Sequence, residues 1–353
     1  MGNKIVTFGE LMLRFSKGEK MRLSQGKTFL GNYGGSEANV AVSLAMQGED
    51  VEYVTRLPDT QMGRAGAMSL RQLGVGTDYI LYGGDRVGVY YFEEAASLRN
   101  ASVTYDRAGS AYSFLQPGMI DWHKALADAS VLHVSGITAA ITQPAADATF
   151  EAIEVAEEMG LTISIDLNYR KNLWRYEGAQ PRETLKRMMA HADVMFGDVI
   201  EYDFITGHEK IPFEAVTPDY DMNLEAYRRW YEEIRLLCPR CRKIMIGMRN
   251  QISSSHHTLT ALLWADGQMY NARIVDIPNV VDPMGVGDAF DGGFLHALRI
   301  FPDTDNQRIL DYSLAAASLK NTIAGDFNLS TEEEILAVMN GEATTKALGR
   351  HKE

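Results

Sequence analysis

The chain has 353 residues, 46% hydrophobic and 23% charged, room for one large α/β domain or two smaller ones around a sizeable core. That composition excludes disordered, collagen-like and small disulfide-stapled classes. Lys and Arg number 34 against 47 Asp and Glu, a formal net charge of −13, so the chain lacks the counterion-releasing surface of a general nucleic-acid or anionic-membrane binder, and an anionic substrate needs a local basic pocket.

In chain order, KIVTFGE reads as a first strand, and residues 12–31 carry short alternating runs with Gly-rich turns that suit an antiparallel flap. Ser36 to Gln47 reads as a helix with Ser36 as N-cap, an apolar face through Val40, Ala41, Leu44 and Ala45, and Gly48 as its stop. Strand VEYVTRL and a helix from Asp59 to Gly74 follow, and flap-like runs return over 84–113 (GGDRVGVYYFEE, ASVTYDRAGSA). Then come strand VLHVSG, a helix with Pro144 near its start and Gly160 as its end, and strand LTISID. Sustained βα alternation predicts an α/β fold with a doubly wound, mostly parallel sheet between helices, the two interruptions forming a small β lid over the crevice at the strand ends. We therefore expect a single domain over 1–341, lid segments at about 12–31 and 84–113, and a tail over 342–353. No apolar run reaches the roughly 18 residues of a membrane span, and MGNKIVTFGE has no signal-peptide pattern, so a cytoplasmic location without membrane or nucleic-acid partners is expected.

Two motifs read as decoys. Cys238 and Cys241 form CPRC between a helical stretch and the apolar run KIMIG, the reverse of the strand-to-helix setting of a redox pair, and His256 and His257 have no zinc-ligand spacing to them. Gly26, Lys27 and Thr28 give GKT, but Met21 stands where a phosphate loop needs its first glycine.

The segment VVDPMGVGDAFDGGFLHAL, Val280 to Leu298, is different. Gly285 and Gly287 permit a tight turn that aims amides at one point, and a helix starting near Asp288 adds its positive end, so an anion has a site without a lysine. As a dinucleotide fingerprint the segment fails at Phe290. Asp288 is either a first-turn residue complementing the helix dipole or a base that takes a proton from a hydroxyl attacking phosphate.

GGSEANVAVSLAMQG (Gly34 to Gly48) and DPMGVGDAFDGGF (Asp282 to Phe294) resemble, in order and spacing, the two motifs of the PfkB or ribokinase-like carbohydrate kinases, a resemblance covering residues 3–341. It implies a ribokinase-like fold, ATP and Mg2+, Asp288 as catalytic base, and an anion hole from the amides of Gly285, Val286 and Gly287; Val286 stands where the family usually has a small residue. Within the family, GELMLRFS, GGDRVGVYYFEEAASLR, TYDRAGSA, SGITAAI, DLNYRKNLW and KNTIAGDFN are most similar to 2-keto-3-deoxygluconate kinases. That likeness implies phosphorylation of 2-keto-3-deoxygluconate at its terminal hydroxyl, with Gly34, Gly35, Asn39, Tyr90, Tyr105, Arg107 and Arg170 around the sugar acid. A carboxylate inside an acidic protein needs planar bidentate cations, which favours the two arginines; pairing of Arg107 and Arg170 with carboxylates such as Asp106 and Asp166 is the alternative. For the nucleotide the resemblance implies Asn168, Asp198, Gly247, Arg249, Asn250, Gly285, Gly287 and Asn321, and for the metal Glu201 through water; FGDVIEYD has Asp198 in place of the family's Asn. A sibling kinase for fructose, ribose or another keto-acid sugar, or a non-catalytic sugar-binding relative, are the other readings. The aromatic-rich lid suggests a homo-oligomer joined there.

Overall fold

Strand β1 (Lys4–Phe8) lies in the middle of the main sheet because it is apolar on both sides: Ile5 packs into the hydrophobic layer on one face, Val6 and Phe8 into the layer on the other. Beyond it the chain lays down β2 (Met12–Ser16), β3 (Leu30–Gly34), β4 (Val51–Leu57), β5 (Ile80–Tyr82), β6 (Gly88–Glu93) and β7 (Ser102–Asp106). The second half supplies β8 (Ala129–Ser135), β9 (Thr162–Asp166), β10 (Val194–Phe196), β11 (Lys243–Ser253), β12 (His256–Ala265), β13 (Gln268–Asn271) and β14 (Val275–Ile277). This computed structural model describes residues 2–207, 211 and 213–342; of the tail expected over 342–353, all but Glu342 lies outside the described residues.

The main sheet runs β13-β12-β11-β10-β9-β8-β1-β4-β5, with β14 also on β12. It is parallel from β11 to β5 and antiparallel from β11 to its β13 edge. Helices Ser36–Met46, Val286–Ile300 and Asn306–Lys320 cover one face, and Gln143–Glu158, Pro181–His191 and Leu224–Ile234 the other. From β1 the chain works outward through β4 and β5, then restarts at β8 on the other side of β1 and works through β9 to β11. The crevice at such a reversal, outside the carboxyl ends of the strands, is where open α/β sheets bind ligands.

The other four strands form the lid, ordered β3-β2-β6-β7. It is not wholly antiparallel: β2 and β6 run parallel, because the chain returns to the lid only after building β4 and β5 into the main sheet. A buried ionic cluster fixes the lid to the body. Arg14 on β2 bridges Asp282 at 2.7 Å and Asp326 at 3.1 Å, and the Tyr90 hydroxyl on β6 donates to Asp326.

The decoys stay away from the crevice. Cys238 and Cys241 are buried free thiols whose Sγ atoms donate to the carbonyls of Ile234 and Lys243. The GKT segment lies in the β2–β3 connection, where the Lys17 ammonium donates to the carbonyls of Gly26 and Thr28 at 3.0 Å.

Candidate active site

Helix Val286–Ile300 starts directly after Gly285, which has φ 76°. A Cβ there would lie 2.0 Å from the Asp326 carbonyl oxygen, so both the backbone angle and the space require glycine. The first-turn N–H groups of Val286, Gly287 and Asp288 have no intrahelical acceptor. With Gly285 these residues line a cleft of about 780 Å³, an arrangement that can hold an anion.

Asp288 is the third residue of that helix and is buried. Its Oδ1 accepts a hydrogen bond from Ser36 Oγ and its Oδ2 one from Asn39 Nδ2, each 2.7 Å, both donors coming from helix Ser36–Met46. The N-cap expected at Ser36 belongs instead to Gly35, whose extended backbone (φ 166°) leads out of β3 and places Ser36 inside the helix, free to reach Asp288. Asn168 Nδ2 donates to Ser36 Oγ at 2.9 Å and so steadies it from behind. Burial pushes the Asp288 carboxyl up from its ordinary range; the hydrogen bonds from Asn39 and Ser36, and the charges of Arg170 and Lys320, hold it back. Removing one donor therefore raises the Asp288 pKa further. Asn39→Ala is expected to move the acidic limb of the kcat/KM profile to higher pH, and a limb that stays in place would contradict this role.

More carboxyl groups surround Asp288. Asp166, at the end of β9, is pushed up to about 8 by burial and by Asp288. Asp291, one helical turn after Asp288, and Glu201 are also held well above the usual carboxylate range, by burial first and by neighbouring carboxylates second. Glu201 is occupied: its Oε2 accepts the Asp198 N–H and its Oε1 the Tyr169 N–H, each at 2.8 Å, while Asp198 caps helix Val199–Thr206 in return. Among the described residues no three His, Cys, Asp or Glu side chains are arranged to hold a metal ion. The donors present fit a hydrated Mg2+ that arrives on phosphates and is reached through water, not one caged by protein.

Arg170 and Arg249 both open onto the cleft, and among the described residues neither guanidinium has an ion-pair or hydrogen-bond partner. Burial and the Arg170 charge lower the Arg249 pKa, so the pair repel each other across a space suited to an anion. Tyr105 reaches the same cleft from the lid, as do Asn168, Asp198 and Gly247 from the body. Arg107 is engaged elsewhere: its Nε donates to Glu10 Oε2 at 2.7 Å, while Asp106 pairs with Arg86 at 3.0 Å. Tyr90 is buried in the Arg14 cluster, and Gly34 and Gly35 lie where the lid strand crosses the body, with no room for a Cβ against Asp326 or the Glu10 carbonyl.

Asn321, expected at the nucleotide, makes its side-chain hydrogen bond to the helix before it. It is 1% exposed, follows helix Asn306–Lys320, and donates back at 2.9 Å to the carbonyl of Ala317, which lines the cleft as Asn321 itself does not. Asn250 likewise does not line the cleft, although Gly247 and Arg249 on the same strand do. Sequence reasoning missed Ser36 and Asp291 as neighbours of Asp288. The i, i+3 spacing of Asp288 and Asp291 was an available signal for one helix face.

The family of pfkB carbohydrate kinases matches residues 3–225. The crystal structure of 2-dehydro-3-deoxygluconokinase from Thermotoga maritima is similar at TM-score 0.86 and 36% identity, over 96% of this chain and 99% of that one. A 2-dehydro-3-deoxygalactonokinase from Haloferax volcanii is 29% identical over 345 residues, 97% of this chain and 98% of that protein. A fructokinase from Xylella fastidiosa, solved with bound ATP, shares the fold at 22% identity and TM-score 0.76, over 97% of this chain and 100% of that one.

Proposed function

The chain belongs to the pfkB family of carbohydrate kinases, and from that premise we propose that it transfers the γ-phosphoryl group of ATP to the terminal hydroxyl of 2-keto-3-deoxygluconate, giving the 6-phosphate. The observation that carries this choice of substrate is Arg170, a guanidinium without a partner among the described residues, in the cleft that also holds Asp288. The charges of Glu201, Asp166 and Asp288 offset part of the Arg170 charge without bonding to it; a sugar carboxylate meets the guanidinium directly with two parallel hydrogen bonds, which a neutral sugar does not.

In this reading Asp288 takes the proton of the sugar's terminal hydroxyl as its oxygen attacks the γ-phosphorus, and ADP leaves from the opposite side. Ser36 and Asn39 keep the carboxylate aimed. The amides of Gly285, Val286 and Gly287, with the helix N-terminus behind them, take the charge that builds on the transferred group. Arg170 and Tyr105 hold the sugar acid, and the pairs Arg107–Glu10 and Tyr90–Asp326 keep the lid wall in place around Gly34 and Gly35. Gly247, Arg249, Asn168 and Asp198 face the nucleotide. Asp198 and Glu201 would hold a hydrated Mg2+ through water, and the ion would supply charge neutralisation on the phosphates. Closure of the lid keeps out water that would hydrolyse ATP.

The test is the identity of the product. A 31P resonance split into a triplet by two methylene protons marks the 6-phosphate; a doublet from a secondary ester, or inorganic phosphate alone, overturns the reaction. We also place a subunit contact on the exposed lid, where Phe29, Leu30 and Leu98 are 42%, 51% and 100% exposed. Light scattering is expected to show a dimer that Leu30→Glu with Leu98→Glu converts to monomers, and a monomeric wild type would contradict it. A cytoplasmic location fits this reading, and no described helix is long and apolar enough to cross a membrane.

A further inference from the structure

Lys320 has no part in the steps above, yet it is fully buried at 0% exposure, at the end of helix Asn306–Lys320. Its ammonium donates to the Ile323 carbonyl at 2.9 Å and lies 3.4 Å from the Asp282 carbonyl. Asp282 is the residue from which the glycine loop departs. Its Oδ1 accepts the Met284 N–H and its Oδ2 the Gly325 N–H, each at 3.0 Å, so the loop over 282–287 and the segment over 323–326 form one unit around the ammonium. The close approach of Gly285 to the Asp326 carbonyl extends that unit to the start of helix Val286–Ile300. The charged groups facing Lys320 are the carboxylates of Asp282, Asp326 and Asp288 and the Arg14 guanidinium from the lid.

We propose that Lys320 is a positioning residue for phosphoryl transfer: its buried ammonium clamps the two segments that set the aim of the Gly285–Gly287 amides, and it places a fixed positive charge behind the anion hole. The proposal rests on the kinase reading given above. As packing alone the residue is a poor choice, since burying an ammonium costs free energy that an apolar side chain of similar volume does not.

A pH dependence separates the two roles. Burial pulls the Lys320 pKa down from 10.5 to about 8, against the pull of Asp282 and Asp326. Between those two values the folded protein sheds a proton that the unfolded chain keeps, so this group's contribution to stability rises with pH. Over the same interval the charge that the clamp requires is lost. Activity therefore falls where this contribution to stability grows, and a merely structural lysine has no such opposition.

The experiment compares wild type, Lys320→Met and Lys320→Arg for ADP release and thermal unfolding from pH 7 to pH 10, using the sugar that wild type turns over fastest. The expected wild-type profile has an alkaline limb near pH 8. Lys320→Met lowers kcat at neutral pH by about 10- to 100-fold, as loss of support for oxyanion stabilisation should. It leaves the sugar KM near wild type, unfolds no earlier than wild type, and lacks the alkaline limb. Lys320→Arg keeps most of the turnover and loses the limb. Wild-type kcat in Lys320→Met overturns the proposal, as does a limb that persists in Lys320→Arg. Should neither variant fold, the wild-type profile decides, and activity that stays flat across pH 8 overturns it. A neutral sugar emerging as the best substrate would sink the sugar-acid reading while leaving the Lys320 result standing.

Discussion

Asp288→Asn is expected to lower kcat by about 10²- to 10⁴-fold, the usual worth of a positioned general base, with the KM for both substrates near wild type. Asparagine matches the carboxylate in shape, and its amide oxygen still accepts from Ser36 or Asn39 in place of the 2.7 Å bonds seen to Asp288. What it lacks is a basic oxygen for the sugar hydroxyl proton. The glycine loop, which starts at Gly285 and is held by Asp282 and the Asp326 segment, is untouched, so the nucleotide keeps its place. Steady-state kinetics with both substrates varied checks this. Near-normal turnover would mean that Asp288 only complements the helix dipole.

The second large effect falls on Arg170. Arg170→Ala is expected to raise the KM for a keto-acid sugar by about 10- to 100-fold while the KM for ATP changes little, because a charge-assisted hydrogen bond contributes about 1.5–3 kcal/mol. Removing it breaks no ion pair among the described residues, although it takes away a charge that holds down the pKa values of Asp166, Glu201 and Asp288. An equal rise in both KM values would assign Arg170 to the phosphates. Arg107 is the weaker probe, since Arg107→Ala leaves Glu10, 3% exposed, as an uncompensated buried acid, and loss of folding would obscure any loss of binding.

The difference between those two arginines shows where reading a sequence runs out. Arg107 follows Tyr105 and Asp106, Arg170 lies between Tyr169 and Lys171, and none of these neighbours shows which of the two arginines is engaged. The partner that engages Arg107 is 97 residues away. Ser36 is a similar case: its position before an apolar helix is a good N-cap signal, yet its hydroxyl serves a carboxylate 252 residues downstream. Arg14, Asp282, Asp326 and Tyr90 come from four distant segments, and only the folded lid brings their charges together. The placement of Asp288 at a helix start was legible because its signal is local, with glycines, helix start and carboxylate lying within seven residues from Asp282. The parallel sheet was legible for the same reason, since βα alternation repeats along the chain and each strand meets neighbours built by adjacent units. Asn321 carries a local cue of its own. It bonds to the carbonyl four residues before it, which is ordinary helix-end behaviour for a short amide.

The most direct test of the central claim is ADP release with ATP and Mg2+ in the presence of 2-keto-3-deoxygluconate, its galacto epimer, fructose or ribose, each assayed separately. Turnover confined to the two keto-acid sugars, with fructose and ribose inert, is the result this account predicts. Comparable kcat/KM on fructose or ribose would contradict the selection of a carboxylate by Arg170.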